Sequence, residues 1–185
     1  MTEQLNTIKA SVSLTAILEN LIDGGGRTAS VSQGVQWSPA TALTSGTTAN
    51  KADRIWQDSA RTLVAATNED LDLFDAGTID IGAGAGRDAL GQPVANVELV
   101  GLLIVNQATS AGDLIIGGNG TAAAFNSIFN GSDTAQLSVH PGGVQFIFSP
   151  DDPSYVITDA TNHLLRLAAS GGDVTYDIAG LFRSA

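Results

Sequence analysis

From Val97 to Phe182 the apolar residues of this 185-residue chain come in short runs, mostly closed by Gly, Pro, Asp or Asn. The runs are Val97 to Val105, Leu114 to Ile116, Gln136 to Val139, Val144 to Phe148, Ser154 to Ile157, Leu164 to Leu167 and Val174 to Phe182. Short strands recurring every roughly 8 to 12 residues, with turn residues between them, are the pattern of a β-sandwich or barrel. Val97 to Val105 is nearly continuous between Asn96 and Asn106, which predicts a central strand buried on both faces. Leu114 to Ile116, after the turn Thr109 to Gly112, is expected to form a hairpin-like pair with it.

The first half is less regular. Leu14, Ile17, Leu18, Leu21 and Ile22 have the spacing of an amphipathic helix ended by Asp23-Gly24. The same residues fit a strand, because Ile8, Ala10, Val12 and Leu14 alternate with polar ones, and the Ser, Thr and Val content favours extended backbone over Ile8 to Leu18. After Gly24 to Gly26, Ala29 to Trp37 reads as a second strand. Thr41 to Lys51 has almost no large apolar residue and is expected to be a loop or linker over the surface. Ile55-Trp56, Thr62 to Val64 and Leu71 to Phe74 read as short strands, and Gly82 to Gly86 on through Gly91 and Pro93 as a flexible loop.

Composition removes several classes of function. Eight Lys and Arg against 19 Asp and Glu give a net charge of −11, which lacks the positive footing that phosphate contacts need, so no nucleic acid is expected as a partner. With no Cys there is no disulfide framework, thiolate zinc site or thiol nucleophile. No apolar run approaches the roughly 20 residues of a bilayer-crossing helix, and the acidic start has no basic leader region, so a soluble, unprocessed chain without a membrane partner is expected.

Three motifs imitate chemistry. Gly118-Asn119-Gly120 follows a strand as a dinucleotide fingerprint does, but Asn130-Gly131 stops any following helix early, which leaves a glycine-rich turn. Glu69, Asp70, Asp72 and Asp75 concentrate negative charge, yet Phe74 and Ala76 stand where a calcium loop needs oxygens, so Asp70 and Asp72 read as a solvated strand face. His140 and His163 could be written into a triad, but no Gly-x-Ser-x-Gly is present and His140-Pro141-Gly142-Gly143 is a strand-ending turn. No enzyme activity, metal or cofactor is expected.

The order of several further segments is similar to structural proteins of tailed bacteriophages. They are Gly46 to Asp58, Arg61 to Val64, Glu69 to Leu73, Leu102 to Asn106, Leu114 to Gly117, Val139 to Gly143, Ser149 to Asp152, Tyr155 to Thr158 and Val174 to Ile178. The resemblance covers about residues 46 to 183 and implies a virion component with no assigned reaction. Together with the residue patterns it leads to an all-β, jelly-roll-like β-sandwich over residues 46–185, preceded by an N-terminal arm and strand pair over residues 1–45. The expected role is structural, decorating or cementing the capsid shell. The partners would be copies of itself, as a homo-oligomer such as a trimer, and other virion proteins, the major capsid protein first. Leu5, Ile8, Val12 and Leu14 are the candidate interface residues, because a strand donated to a neighbour would cover them. The alternative is a receptor- or carbohydrate-binding module of the tail tip or fibre base, for which Trp37, Trp56 and Tyr155 would have to form an exposed aromatic cluster.

Overall fold

Val174, Tyr176, Ile178, Gly180 and Phe182 are buried, and the residues between them only partly so. That period of two is what a strand packed on one face produces. The structure, a computed structural model, describes residues 12–21, 28–37, 43–76, 86, 87 and 93–185. Among these are eleven strands: β1 (Val12–Leu21), β2 (Thr28–Trp37), β3 (Arg54–Leu63), β4 (Asn68–Asp72), β5 (Asn96–Asn106), β6 (Asp113–Gly117), β7 (Gln136–Val139), β8 (Val144–Phe148), β9 (Tyr155–Val156), β10 (Leu164–Ser170) and β11 (Val174–Ser184). The one helical element among them is a 3₁₀ turn at Ser127–Phe129, ended by Asn130 in the left-handed region.

Strands β3 to β11 make two antiparallel sheets, of order β3-β11-β5-β8 and β4-β10-β6-β7, with the short β9 pairing β5. The third strand pairs the eleventh, the fourth the tenth, the fifth the eighth and the sixth the seventh. The chain thus runs out along four strands and returns beside them, and the doubled ribbon wraps into two sheets. This is the jelly roll, so the expected all-β sandwich is the fold found.

The core lies between the sheets. Trp56, Leu102, Ile104, Tyr176, Ile178 and Phe182 come from one side, and Leu71, Leu114, Ile116, Leu165 and Leu167 from the other. Trp56 stacks on Phe182 with ring centroids 5.4 Å apart. Gly180 makes this possible, because a Cβ there would stand 2.3 Å from the Phe182 ring and 3.3 Å from Trp56.

Several expectations need correction. The strand Leu114 to Ile116 does not pair with Val97 to Val105: β6 lies in the opposite sheet, between β10 and β7. The intervening turn is a crossover, held beside the β10–β11 crossover by Ala111 N–H donating to the Asp173 carbonyl at 2.8 Å. The stretches Ile55-Trp56 and Thr62-Leu63 belong to one strand, β3, interrupted by a bulge in which Ser59 and Ala60 oppose Asp177. Ala60 has φ +56, and its N–H donates to the Asp177 carboxylate at 2.7 Å. Polar residues mid-strand reflect an edge position, where one face and one side meet water. Leu73 and Phe74 form a turn after β4, capped by Asp72, whose Oδ1 accepts the Phe74 N–H at 2.9 Å.

The expected surface loop Thr41 to Lys51 is less superficial than its composition implies. Leu43 and the adjoining Ala52 are buried against Val100, and Asn50 N–H donates to the Pro150 carbonyl at 2.8 Å. One leucine suffices because it lands on the outer face of a sheet that is itself apolar. The glycine-rich stretch from Gly82 to Pro93 lies mostly outside the described residues; Arg87 and Pro93 are bridged.

The N-terminal region is extended where described. β1 and β2 pair antiparallel along ten residues, from Val12↔Trp37 to Leu21↔Thr28, and form a sheet of their own. Of the candidate interface residues, Val12 and Leu14 lie in β1, opposite Trp37 and Val35, while Leu5 and Ile8 lie outside the described residues. β1 is therefore one half of a hairpin.

Candidate functional site

The acidic residues of β4 divide by strand alternation, and Glu69 and Asp70 each go to an arginine. Asp70 stands opposite Arg166 of β10 and accepts two hydrogen bonds from its guanidinium, both at 2.8 Å. That bond raises the Arg166 pKa. Asn119 joins the pair, donating to Asp70 at 3.2 Å, so the fingerprint-like Gly118 to Gly120 is a turn stapled to a surface ion pair. Asp72 caps its turn. Burial raises its pKa, opposed by the two backbone N–H groups it accepts.

Glu69 points the other way and reaches across the sandwich. Its carboxylate accepts from the Tyr176 hydroxyl and from Arg61, which also donates to Asp58 at 2.6 Å and to the Tyr176 oxygen at 3.0 Å. Asp58, Ser59, Ala60, Arg61, Thr62 and Glu69 line a shallow, open depression of about 340 Å³. Burial lowers the Arg61 pKa, but the hydrogen bonds to Glu69 and Asp58 outweigh it and hold the guanidinium above its ordinary value. Burial and then the bond to Glu69 raise the Tyr176 phenol above its ordinary 10. Donors and acceptors here are spent on one another, so the cluster ties the two sheets together and presents no free acid–base pair.

A phenol with a raised pKa stabilises the fold fully below its unfolded pKa and loses that contribution as pH climbs above it. The denaturant midpoint is therefore expected to decline as pH climbs above about 10, the ordinary phenol value, with Tyr176 ionisation contributing to the decline. Tyr176→Phe should shrink this alkaline decline; an unchanged decline in the variant would show that Tyr176 is not held by Glu69.

The histidines are far from a catalytic arrangement. His163 is mostly buried, with Nε2 3.7 Å from Asp72. His140 is exposed and its Nδ1 lies 2.8 Å from Asp113, which also accepts from Ser138 at 3.4 Å. A histidine, a carboxylate and a serine do meet, but the carboxylate stands in the middle, where nucleophile activation needs the imidazole. Among the described residues no group of three His, Asp or Glu is placed to hold a metal ion.

Of the three residues expected to form an exposed aromatic cluster, the side chain of Trp37 lies outside the described residues. Trp56 is in the core and Tyr155 packs against it.

The unusual surface is the outer face of the β3-β11-β5-β8 sheet. Residues opposite one another in an antiparallel pair share a face. The register therefore places Ile55, Leu181, Gly101 and Phe148 in one outward row, Gln57, Ala179, Leu103 and Phe146 in the next, and Asp177, Val105 and Val144 in a third. Phe146 and Phe148 lie near parallel, 6.1 Å between centroids. Leu43, Ala52 and Val100 cover one end, while Ile55, Leu103 and Val144 remain 53%, 39% and 59% exposed. The expectation of double burial for β5 is thus met on its inner face and left open along much of its outer one. The apolar residues of β5 and β8 carried the signal, because a strand apolar on both faces is built to be covered twice.

No protein-family model and no curated protein matches this chain.

Proposed function

We propose that this chain is a non-enzymatic structural subunit of a tailed-phage virion, decorating or cementing the capsid shell by packing against copies of itself and the major capsid protein. The observation that supports this most is the open apolar face of the β3-β11-β5-β8 sheet on a chain of net charge −11. Contiguous exposed apolar surface marks a docking site, and on a strongly acidic protein a face whose three rows hold one carboxylate, Asp177, is where like subunits repel least. The jelly roll agrees with the role, since capsid proteins use it, although lectins and cupins do as well, so the face and not the fold carries the assignment.

Antibody raised against the sandwich and viewed by electron microscopy on particles that carry the protein tests the proposal. Label distributed over the head is the expected result. Label confined to the tail tip or fibre base would replace it with the receptor-binding alternative, and particles without label would overturn the virion assignment.

A further inference from the structure

Asparagine followed by glycine is the dipeptide in which a side-chain amide is most open to attack by the next backbone nitrogen, because glycine has no Cβ to shield that nitrogen. The chain has two such pairs, Asn119-Gly120 and Asn130-Gly131. Both are followed by a hydroxyl residue, Thr121 and Ser132, and both glycines have positive φ, +69 and +77. Local sequence does not rank them.

The fold does. Asn119 is 8% exposed and both ends of its amide are engaged: Nδ2 donates to Asp70 at 3.2 Å, and Oδ1 accepts from the Thr121 hydroxyl at 2.8 Å. Its carbonyl accepts from Arg166 at 3.3 Å, and the Gly120 N–H donates to the Asp133 carbonyl at 2.9 Å. Asn130, Gly131 and Ser132 are all exposed, and the Asn130 amide has no hydrogen-bond partner among the described residues. Asn130 ends the 3₁₀ turn at φ 53, ψ 39, which turns the Gly131 nitrogen away from the side chain. Two bonds hold it there, Gly131 N–H to the Asn126 carbonyl at 3.1 Å and Ser132 N–H to the Phe129 carbonyl at 3.2 Å. Opening an exposed turn end costs far less than dismantling the cluster of Asp70, Asn119 and Arg166.

We propose that Asn130 is a spontaneous modification site of this protein, converted to aspartate and isoaspartate through a cyclic imide with Gly131, while the fold protects Asn119. Once ψ rotates, the Gly131 nitrogen loses its proton to hydroxide and bonds to Asn130 Cγ. The Cγ–Nδ2 bond breaks, and the amide nitrogen takes a proton from water and leaves as ammonia, which regenerates the hydroxide. Water then opens the imide: addition at Cγ gives aspartate, and addition at the Asn130 backbone carbonyl carbon gives isoaspartate, with the chain running through the side chain. No electrons are exchanged. Each event adds one negative charge to the turn, and Ile128 and Phe129, which pack against the core, precede the altered bond, so the fold is retained. The inference is independent of the assembly reading.

The test follows the full-length protein at mildly alkaline pH over days, with digestion under acidic conditions and mass spectrometry of the peptides that carry residues 119 and 130. Amide loss at Asn130 is expected to be at least about tenfold faster than at Asn119, and the two rates should converge when the chain is unfolded in urea. The Asn130 product should separate into aspartyl and isoaspartyl peptides, and Asn130→Gln should remove the fast reaction. Equal rates in the folded chain, or faster loss at Asn119, would overturn the proposal. Aspartate without isoaspartate would overturn the imide route. A folded chain that keeps both amides while urea releases them would show the Asn130 turn to be as closed as the Asp70 cluster, and would overturn it as well.

Discussion

Ile104→Asp is expected to abolish folding, while Leu103→Asp, one residue away, is expected to leave a folded monomer. Ile104 is fully buried between the sheets, and a carboxylate placed there has neither a partner nor water, at a cost on the order of several kcal/mol. A domain stable by about 5 to 15 kcal/mol does not absorb that loss safely. Leu103 faces outward at 39% exposure, so its aspartate reaches solvent and costs only about 1 kcal/mol of lost packing. Far-ultraviolet circular dichroism and a urea titration of both variants check the contrast. If Leu103→Asp proves as damaging as Ile104→Asp, the outer face is covered within the single chain and its use as an assembly surface fails.

The second large effect is expected at Arg183, which is 1% exposed and tethers three segments distant in sequence. Its guanidinium donates to the Glu98 carboxylate and to the carbonyls of Lys51 at 2.9 Å, Asp151 at 2.6 Å and Pro150 at 2.9 Å. Arg183→Met keeps most of the volume but leaves Glu98 charged and the carbonyls of Lys51 and Asp151 without their donor, while Pro150 keeps the Asn50 N–H. Breaking a buried pair from one side typically costs about 3 to 5 kcal/mol. Arg183→Lys should recover little, because one ammonium cannot reproduce the planar fork that reaches all four acceptors. Glu98→Gln in the Arg183→Met background should restore part of the loss by removing the stranded charge. The urea midpoints of the three variants decide this, and a loss under about 1 kcal/mol for Arg183→Met would mean that water reaches the site.

Both effects depend on features of unequal legibility. Gln136 to Val139 and Val144 to Phe148 appear as strands β7 and β8 with the boundaries that their residues imply, because turn residues close them at each end. Asn96 and Asn106 were visible only as the ends of an apolar run. In the fold both are fully buried, Asn96 donating to the Leu73 carbonyl at 2.9 Å and Asn106 to the carbonyls of Gly112 and Val139 at 3.1 and 2.8 Å. They fasten the two ends of β5 to segments leading into or out of the opposite sheet. An asparagine next to an apolar run is common at a turn, so nothing local distinguishes these two from exposed ones.

The pattern along the chain determined that it is all-β and where most strands of the sandwich lie, because the alternation of side chains and the backbone demands of turns are properties of neighbouring residues. Tertiary structure alone decided that Leu114 to Ile116 crosses to the other sheet, that Arg183 meets Lys51 and Tyr176 meets Glu69, 132 and 107 residues away, and that one sheet keeps an open apolar face. The physical reason is that strand partners are chosen by the burial of whole faces against one another. A run such as Val97 to Val105 announces two surfaces to be covered, but only the folded chain reveals which of them it covers itself.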